Sequence, residues 1–226
     1  IRDRINNAKK TAVFICGKDA SLALDMMNTA KDSMVPPFEI SVFPDPAGSF
    51  TTAAAMVACT EKTLKHKFNT NLKDKNIIIY GGKGIVGGIS AIMCAKEGSK
   101  CTIVGYDGIT NVKKKAEEYK SRFGVDIIPA DGTTDELNSS YLPQADIIFC
   151  AARAGTQVIS EEQLKLAKNT KVLADVNAVP PAGLGGVNLK DDDAKHPCGG
   201  LSIGPLTSGD IKVKTQYRMF EKMCAA

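Results

Sequence analysis

The chain has 226 residues and a mass of 24.0 kDa, 43% apolar, which is enough for a real core in one large or two small domains and too apolar for a disordered chain. A net charge of +4 and a pI of about 8.6 are only weakly basic, and the lysines are dispersed apart from Lys113, Lys114 and Lys115, so a nucleic-acid surface is not expected. No apolar run is long enough to cross a bilayer, and no signal-peptide pattern is present, so no membrane partner is expected either. The seven cysteines show no CxxC spacing and read as free core thiols of a reducing, cytoplasmic compartment. His66 and His196 lie far apart, so no metal centre is expected. The sequence opens on Ile1 rather than Met and reads as a processed form or a fragment.

In chain order, TAVFICG (Thr11–Gly17) reads as a strand and Lys18–Ser33 as a helix, with Leu22, Met26 and Met27 about one turn apart. Pro36 and Pro37 stop that helix, FEISVF (Phe38–Phe43) is the next strand, PDPAGS is a loop, and Thr51–Lys67 is a helix with small residues in its first turns. The polar stretch Asn69–Lys75 marks a boundary. Beyond it the pattern alternates regularly. Strands are expected at Asn76–Tyr80, Cys101–Val104, Val125–Pro129, Asp146–Cys150 and Lys171–Ala174, with helices at Ile85–Glu97, Asn111–Phe123, Thr133–Ser140 and Ser160–Lys168. Short continuous apolar strands between helices signal a parallel sheet covered on both faces. From Asn177 to Pro205 the chain is glycine-rich and loop-like, followed by a short strand and a helix through Cys224, with Lys212 and Lys214 alternating with Ile211 and Val213.

GGKGIVGG holds a GxGxxG, Gly82-Lys83-Gly84-Ile85-Val86-Gly87, between the apolar strand IIIY and a helix. In that setting Gly82 permits a tight turn, Gly84 lets the backbone reach a pyrophosphate, and Gly87 lets helix and strand pack closely, with the helix N-terminus facing the phosphates. The alternative is a glycine turn in a ligand-free α/β domain. Asp107, at the end of VGYD after the second strand, suits the ribose hydroxyls of NAD, or is a turn residue before Gly108; Lys113 and Lys114 suit the extra phosphate of NADP. Tyr106 is placed to stack on adenine. The choice between NADP and NAD stays open.

Several separated motifs carry a closer resemblance: DPAGSFTTAAAM (Asp45–Met56), GGKGIVGG, ADVNAVPPAGLGGV (Ala174–Val187) and GPLTSGDIKVK (Gly204–Lys214). In these the chain resembles the bacterial NAD(P)-dependent methylene-tetrahydromethanopterin dehydrogenases, relatives of the methylene-tetrahydrofolate dehydrogenases. Family members carry further residues before the position of Ile1. Where an NADP-linked member has Arg-Lys after the second strand, this chain has Tyr106-Asp107, and Gln216 stands where a histidine is associated with the substrate wall.

The resemblance implies hydride transfer from a methylene-pterin, or alternatively from methylene-tetrahydrofolate, to NADP or NAD; a dinucleotide-binding protein without turnover is the reading from another class. The methylene carbon lies between two nitrogens, so a lone pair can expel hydride and leave a resonance-stabilised methenyl cation without a general base. No catalytic side chain is therefore assigned. Substrate contacts are expected from Asp45, Gly48, Ser49, Thr51, Lys212 and Lys214, against the simpler reading of a loop, a helix cap and a surface strand. Further cofactor contacts are expected from Ala151, Ala152 and Arg153 after strand IIFC, and from Asp175, Asn177 and Pro180 beyond a strand's C-terminal end, where a stiff turn is the alternative. The expected architecture is α/β in two domains with a cleft between them. A smaller α/β domain spans 1–71, a Rossmann-type parallel-sheet domain binding NAD(P) spans 72–202, and 203–226 is a strand and helix returning to the smaller domain. A homo-oligomer acting on a small pterin is expected.

Overall fold

Ile77, Ile78 and Ile79 are consecutive and all fully buried in the computed structural model, which describes residues 10–225. A strand can bury neighbouring residues this way only at the centre of a sheet covered on both faces. Burying each isoleucine contributes about 1.5–3 kcal/mol. These residues belong to β3 (Asn76–Tyr80), flanked in parallel by β4 (Lys100–Gly105) and β6 (Ile147–Cys150), with Ile77 in register with both Cys101 and Ile147.

Seven strands form this sheet in the order β5-β4-β3-β6-β7-β9-β8, with β5 at Ile128–Asp131, β7 at Val172–Asp175, β8 at Asp192–Lys195 and β9 at Leu201–Ile203. All neighbours are parallel except β8, which runs antiparallel to β9. Alternate residues feed two cores. Ile77, Ile79, Ile103 and Phe149 pack on one face, with Met56 and Leu64 of α2 (Ser49–Phe68), Cys94 of α3 (Ile85–Lys96) and Tyr119 of α4 (Ile109–Phe123). Ile78, Tyr80, Val104 and Ile148 pack on the other, with Leu142 and with Leu164 of the short α6 (Glu161–Leu164). The architecture is α/β and Rossmann-type. Because β4 lies on one side of β3 and β6 on the other, the chain reverses direction across the sheet at β3, and a crevice opens beyond the strands' C-terminal ends there.

Two compact units are present, Thr52–Asp210 and a smaller one formed by the chain up to Thr51 and from Ile211 onward. The expected breaks at 71 and 202 lie just outside α2 and α7 (Pro205–Ala225), whereas the units divide inside these two helices. In the smaller unit β1 (Ala12–Ile15) pairs in parallel with β2 (Ser41–Pro44), joined through α1 (Ala20–Asp32). Asp19 caps α1 by accepting from the Leu22 amide at 2.9 Å. Phe220 of α7 meets Phe14 and Phe43 edge-on, with ring centroids 5.1 and 5.8 Å away.

Four expectations need correction. The strand expected across Ile211–Lys214 is helical, part of α7, which starts at Pro205 where a missing N–H costs nothing. Four alternating residues were too short a pattern to outweigh the helix around them. The strand expected over Phe38–Phe43 begins only at Ser41, after the two prolines and a turn in which the Phe38 amide bonds Val35 O at 2.8 Å. Strands β8 and β9 fall inside the stretch read as loop; β8 is the polar DDAK at the sheet edge, where no apolar alternation is required. The expected helix Ser160–Lys168 shortens to α6, closed at its start by a capping box between Ser160 and Gln163.

Candidate functional site

The turn after β3 is built from glycines for several different reasons. Gly81 has φ +78°, and a Cβ there would run into the Ala151 carbonyl. A Cβ on Gly82 would overlap the Ile103 side chain, and one on Gly87 would lie 2.6 Å from Gly81 O. Gly88 leaves room for the Tyr119 hydroxyl, which donates to Gly82 O at 3.2 Å and ties the turn to α4. All of these are demands of the fold itself. Gly84 differs: it is exposed, in extended conformation at the N-cap of α3, and a Cβ there would meet only Gly81 O at 3.2 Å and Ala151 O at 3.9 Å. Its bare backbone faces a cavity of about 500 Å³.

That cavity lies beyond the ends of β3, β4 and β6. Of the residues expected at a cofactor, Lys83, Gly84, Tyr106, Ala151, Ala152 and Arg153 line it. Gly82 and Gly87 are buried beneath it, and Val86 packs into the core. Ile85 opens α3 half-buried, outside the lining. Lys113 is exposed on α4, also outside the lining. Asp107 is outside the lining too, but it is ion-paired to Lys83 Nζ, which is in it, and accepts from Asn111 Nδ2 at 3.2 Å. The Lys83 hydrogen bond, joined by the one from Asn111, holds the Asp107 carboxyl below its ordinary pKa. The opposite wall comes from Thr133 and Thr134 and from Asp135 and Asn138 of α5 (Asp135–Ser140), which sequence reading misses because nothing in this polar run signals a ligand. The size, the glycine cradle and the helix N-terminus with its free N–H groups fit the pyrophosphate of a dinucleotide.

Asp175, Asn177 and Pro180 are not brought to the cavity. Asp175 is fully buried and accepts from the Asn177 amide at 2.8 Å and the Leu184 amide at 2.9 Å. Burial pushes its carboxyl up in pKa, against the pull of those backbone donors. Asn177 Oδ1 accepts from Val179 N at 3.0 Å and Gly155 N at 3.2 Å, and its Nδ2 donates to Pro181 O at 2.9 Å. Both side chains brace the turn holding Pro180, and Asn177, through Gly155, also braces the loop after β6 that forms one cavity wall.

In the smaller unit, α7 brings Lys212 and Gln216 to Asp45 and Gly48. Asp45, 1% exposed, accepts from the Phe50 and Thr51 amides (2.9 and 3.1 Å), from Thr51 Oγ1 (2.7 Å) and from Gln216 Nε2 (2.9 Å). It thereby satisfies two of the free amides in the first turn of α2, a capping task that the simpler reading of the sequence gives to Thr51. Gln216 Oε1 in turn accepts from Lys212 Nζ at 3.2 Å. Gly48, at φ +65°, has its Cβ space filled by the Lys212 ammonium at 2.9 Å. Ser49 is buried nearby. Lys214 is exposed, two residues and more than half a helical turn from Lys212, so the two lysines expected at the substrate point apart.

Elsewhere, His196 is a satisfied buried histidine: Nε2 bonds Gly185 O at 2.8 Å and Nδ1 accepts from Cys198 N at 3.2 Å. All seven cysteines are free, but Cys16 and Cys224 are exposed rather than in the core. Among the described residues, no three His, Cys, Asp or Glu gather as metal ligands.

Residues 3–47 match the family described as methylene-tetrahydromethanopterin dehydrogenase, N-terminal. Among solved structures, quinate dehydrogenase from Corynebacterium glutamicum in complex with NAD matches with a TM-score of 0.54 over 96% of this chain and 98% of its own, at 12% identity, which is a likeness of fold alone. The bifunctional protein MdtA of Methylorubrum extorquens is 27% identical over 215 residues, covering 95% of this chain and 73% of that protein. The NAD(P)-dependent methylenetetrahydromethanopterin dehydrogenase of the same organism is 47% identical over 218 residues, again 73% of its length. With nearly half its residues shared across 96% of its length, the chain belongs to the NAD(P)-dependent methylenetetrahydromethanopterin dehydrogenase family.

Proposed function

We propose that the chain transfers hydride between methylene-tetrahydromethanopterin and NAD or NADP, giving the methenyl form. Family membership supports the substrate. The observation that carries the cofactor is Gly84, the fingerprint glycine whose Cβ would meet only one close atom, Gly81 O at 3.2 Å, set where a helix N-terminus opens on a cavity. The nicotinamide, when bound, supplies the hydride acceptor.

The first amides of α3 and its dipole hold the pyrophosphate beside Gly84. Asp107 accepts from the adenosine ribose, with Tyr106 against the adenine. The Asp45–Gln216 pair holds Lys212, whose ammonium is offered to an oxygen or an acidic tail of the pterin; Gly48, Ser49 and Thr51 shape the same corner. Since the substrate's own nitrogen lone pair expels the hydride, these residues align and shield it and move no proton. The same reading makes this a cytoplasmic homo-oligomer acting on a small pterin, without nucleic-acid or membrane partners. Among the described residues no helix is long and apolar enough to cross a membrane.

The test is the appearance of reduced-nicotinamide absorbance when methylene-tetrahydromethanopterin is supplied with NAD or NADP, and in a parallel reaction methylene-tetrahydrofolate. Reduction with the methanopterin substrate is expected to be the faster. Reduction only with the folate would reassign the substrate, and none with either would leave a binding protein without turnover.

A further inference from the structure

A lysine in the cavity lining meets a carboxylate just outside it, and the two come from different strand ends. Lys83 leaves the turn after β3, and Asp107 the turn after β4. The lysine stem crosses the end of β4, with Cδ lying 3.1 Å from where a Cβ on Gly105 would stand. Its ammonium then closes on Asp107, with the two side chains 27% and 33% exposed. The end of the second strand is where a dinucleotide's adenosine ribose sits in this fold.

We propose that Lys83, rather than Lys113 or Lys114 of α4, receives the 2′-phosphate of NADP, and that its ion pair with Asp107 sets the ratio in which the two dinucleotides are used. The proposal rests on the dinucleotide reading above. Three observations support it. Lys83 lines the cavity, while Lys113 and Lys114 are exposed on α4 outside the lining. Arg153, the other cation in the lining, follows β6, on the far side of β3 from β4. Asp107 has a second donor, Asn111 Nδ2, so its carboxylate stays held when Lys83 turns away.

The physical consequence is a corner that suits both dinucleotides. With NAD, the ribose 2′-hydroxyl donates to Asp107 and the ion pair stays closed. With NADP, the phosphate dianion repels Asp107 and attracts the ammonium, and Lys83 swings on its flexible stem from one anion to the other. A partly exposed ion pair contributes little stability, so the exchange is cheap. Neither cofactor is therefore shut out.

The experiment is calorimetric titration of the full chain with NAD and with NADP, alongside kcat/KM for each. In K83M the Kd for NADP is expected to rise at least about tenfold, while that for NAD stays within about threefold. K83R, which keeps the charge and reports on folding at this position, should hold both within about threefold. D107S removes the competing anion and should raise the kcat/KM ratio of NADP over NAD at least about tenfold. An NADP-to-NAD affinity ratio unchanged in K83M overturns the assignment. So does an equal loss of both, which would place Lys83 on the pyrophosphate, and so does a tenfold loss of NADP in K113M or K114M with K83M silent. Wild-type protein that binds neither dinucleotide would overturn the underlying cofactor reading as well.

Discussion

Two glycine-rich turns follow buried strands in the same sheet, one after β3 and one after β7, and they use glycine for opposite ends. In the second turn every gap is closed from within. The Cβ space of Gly183 is taken by Cys150 Sγ and Asp175 Oδ2, and that of Gly185 by the Glu161 backbone. Asp175 and Asn177 then fasten the turn to itself with side-chain bonds. In the first turn Gly82, Gly87 and Gly88 are filled in the same way, but Gly84 is left open toward the cavity. A glycine points to a ligand when the protein itself does not need the room, and a count of glycines cannot show this.

The contrast is most directly broken at the packed glycines. Gly87→Ala sets a Cβ 2.6 Å from Gly81 O and 2.9 Å from Gly81 C, backbone atoms that cannot rotate away. A loss of about 3 kcal/mol in denaturant unfolding, or outright failure to fold, is expected. A Gly87→Ala protein as stable as wild type would mean that the turn yields, and the division into packed and open glycines would fall. Next in size is Asp175→Ala, which strips the acceptor from the Asn177 and Leu184 amides. About 2 kcal/mol of stability should go, with dinucleotide affinity changing less than stability if Asp175 only braces the turn. Lost affinity at unchanged stability would instead return Asp175 to the ligand.

Much of the larger unit was legible because its signals are local. IIIY, IIFC and VLAD are apolar without a break, as central parallel strands must be, and each was found within a residue or two. What was missed depends on partners distant in the chain. Asp45 and Gln216 are 171 residues apart, and no spacing rule links them. Lys83 is expected at the cofactor as part of the fingerprint, but nothing in the sequence pairs its charge with Asp107, 24 residues on. Strand β8 is polar because it lies at an edge, so its pairing with β9, not its sequence, makes it a strand. The IKVK run shows the converse: a period of two over four residues, overruled by a helix whose other turns supply its stability.

The smallest structural change in the series is also the sharpest test of the open glycine. Gly84 already has backbone angles that valine accepts, φ −71° and ψ 167°. The added Cβ would press on Gly81 O at 3.2 Å, a distance the turn can relieve by a shift of a few tenths of an ångström. Gly84→Val should therefore cost about 1 kcal/mol of stability or less, well below Gly87→Ala. The two methyl groups nonetheless stand between the α3 amides and the cavity, where a pyrophosphate has to approach the bare backbone. The Kd for both NAD and NADP should rise at least about tenfold, or about 1.4 kcal/mol, measured by calorimetric titration. The loss should be equal for the two, because the pyrophosphate is common to both and the 2′-phosphate corner is untouched. Unequal losses would mean that the valine acts through Lys83 next to it in the chain. Unchanged affinity for both would remove Gly84 from the binding site, and with it the observation on which the cofactor assignment stands.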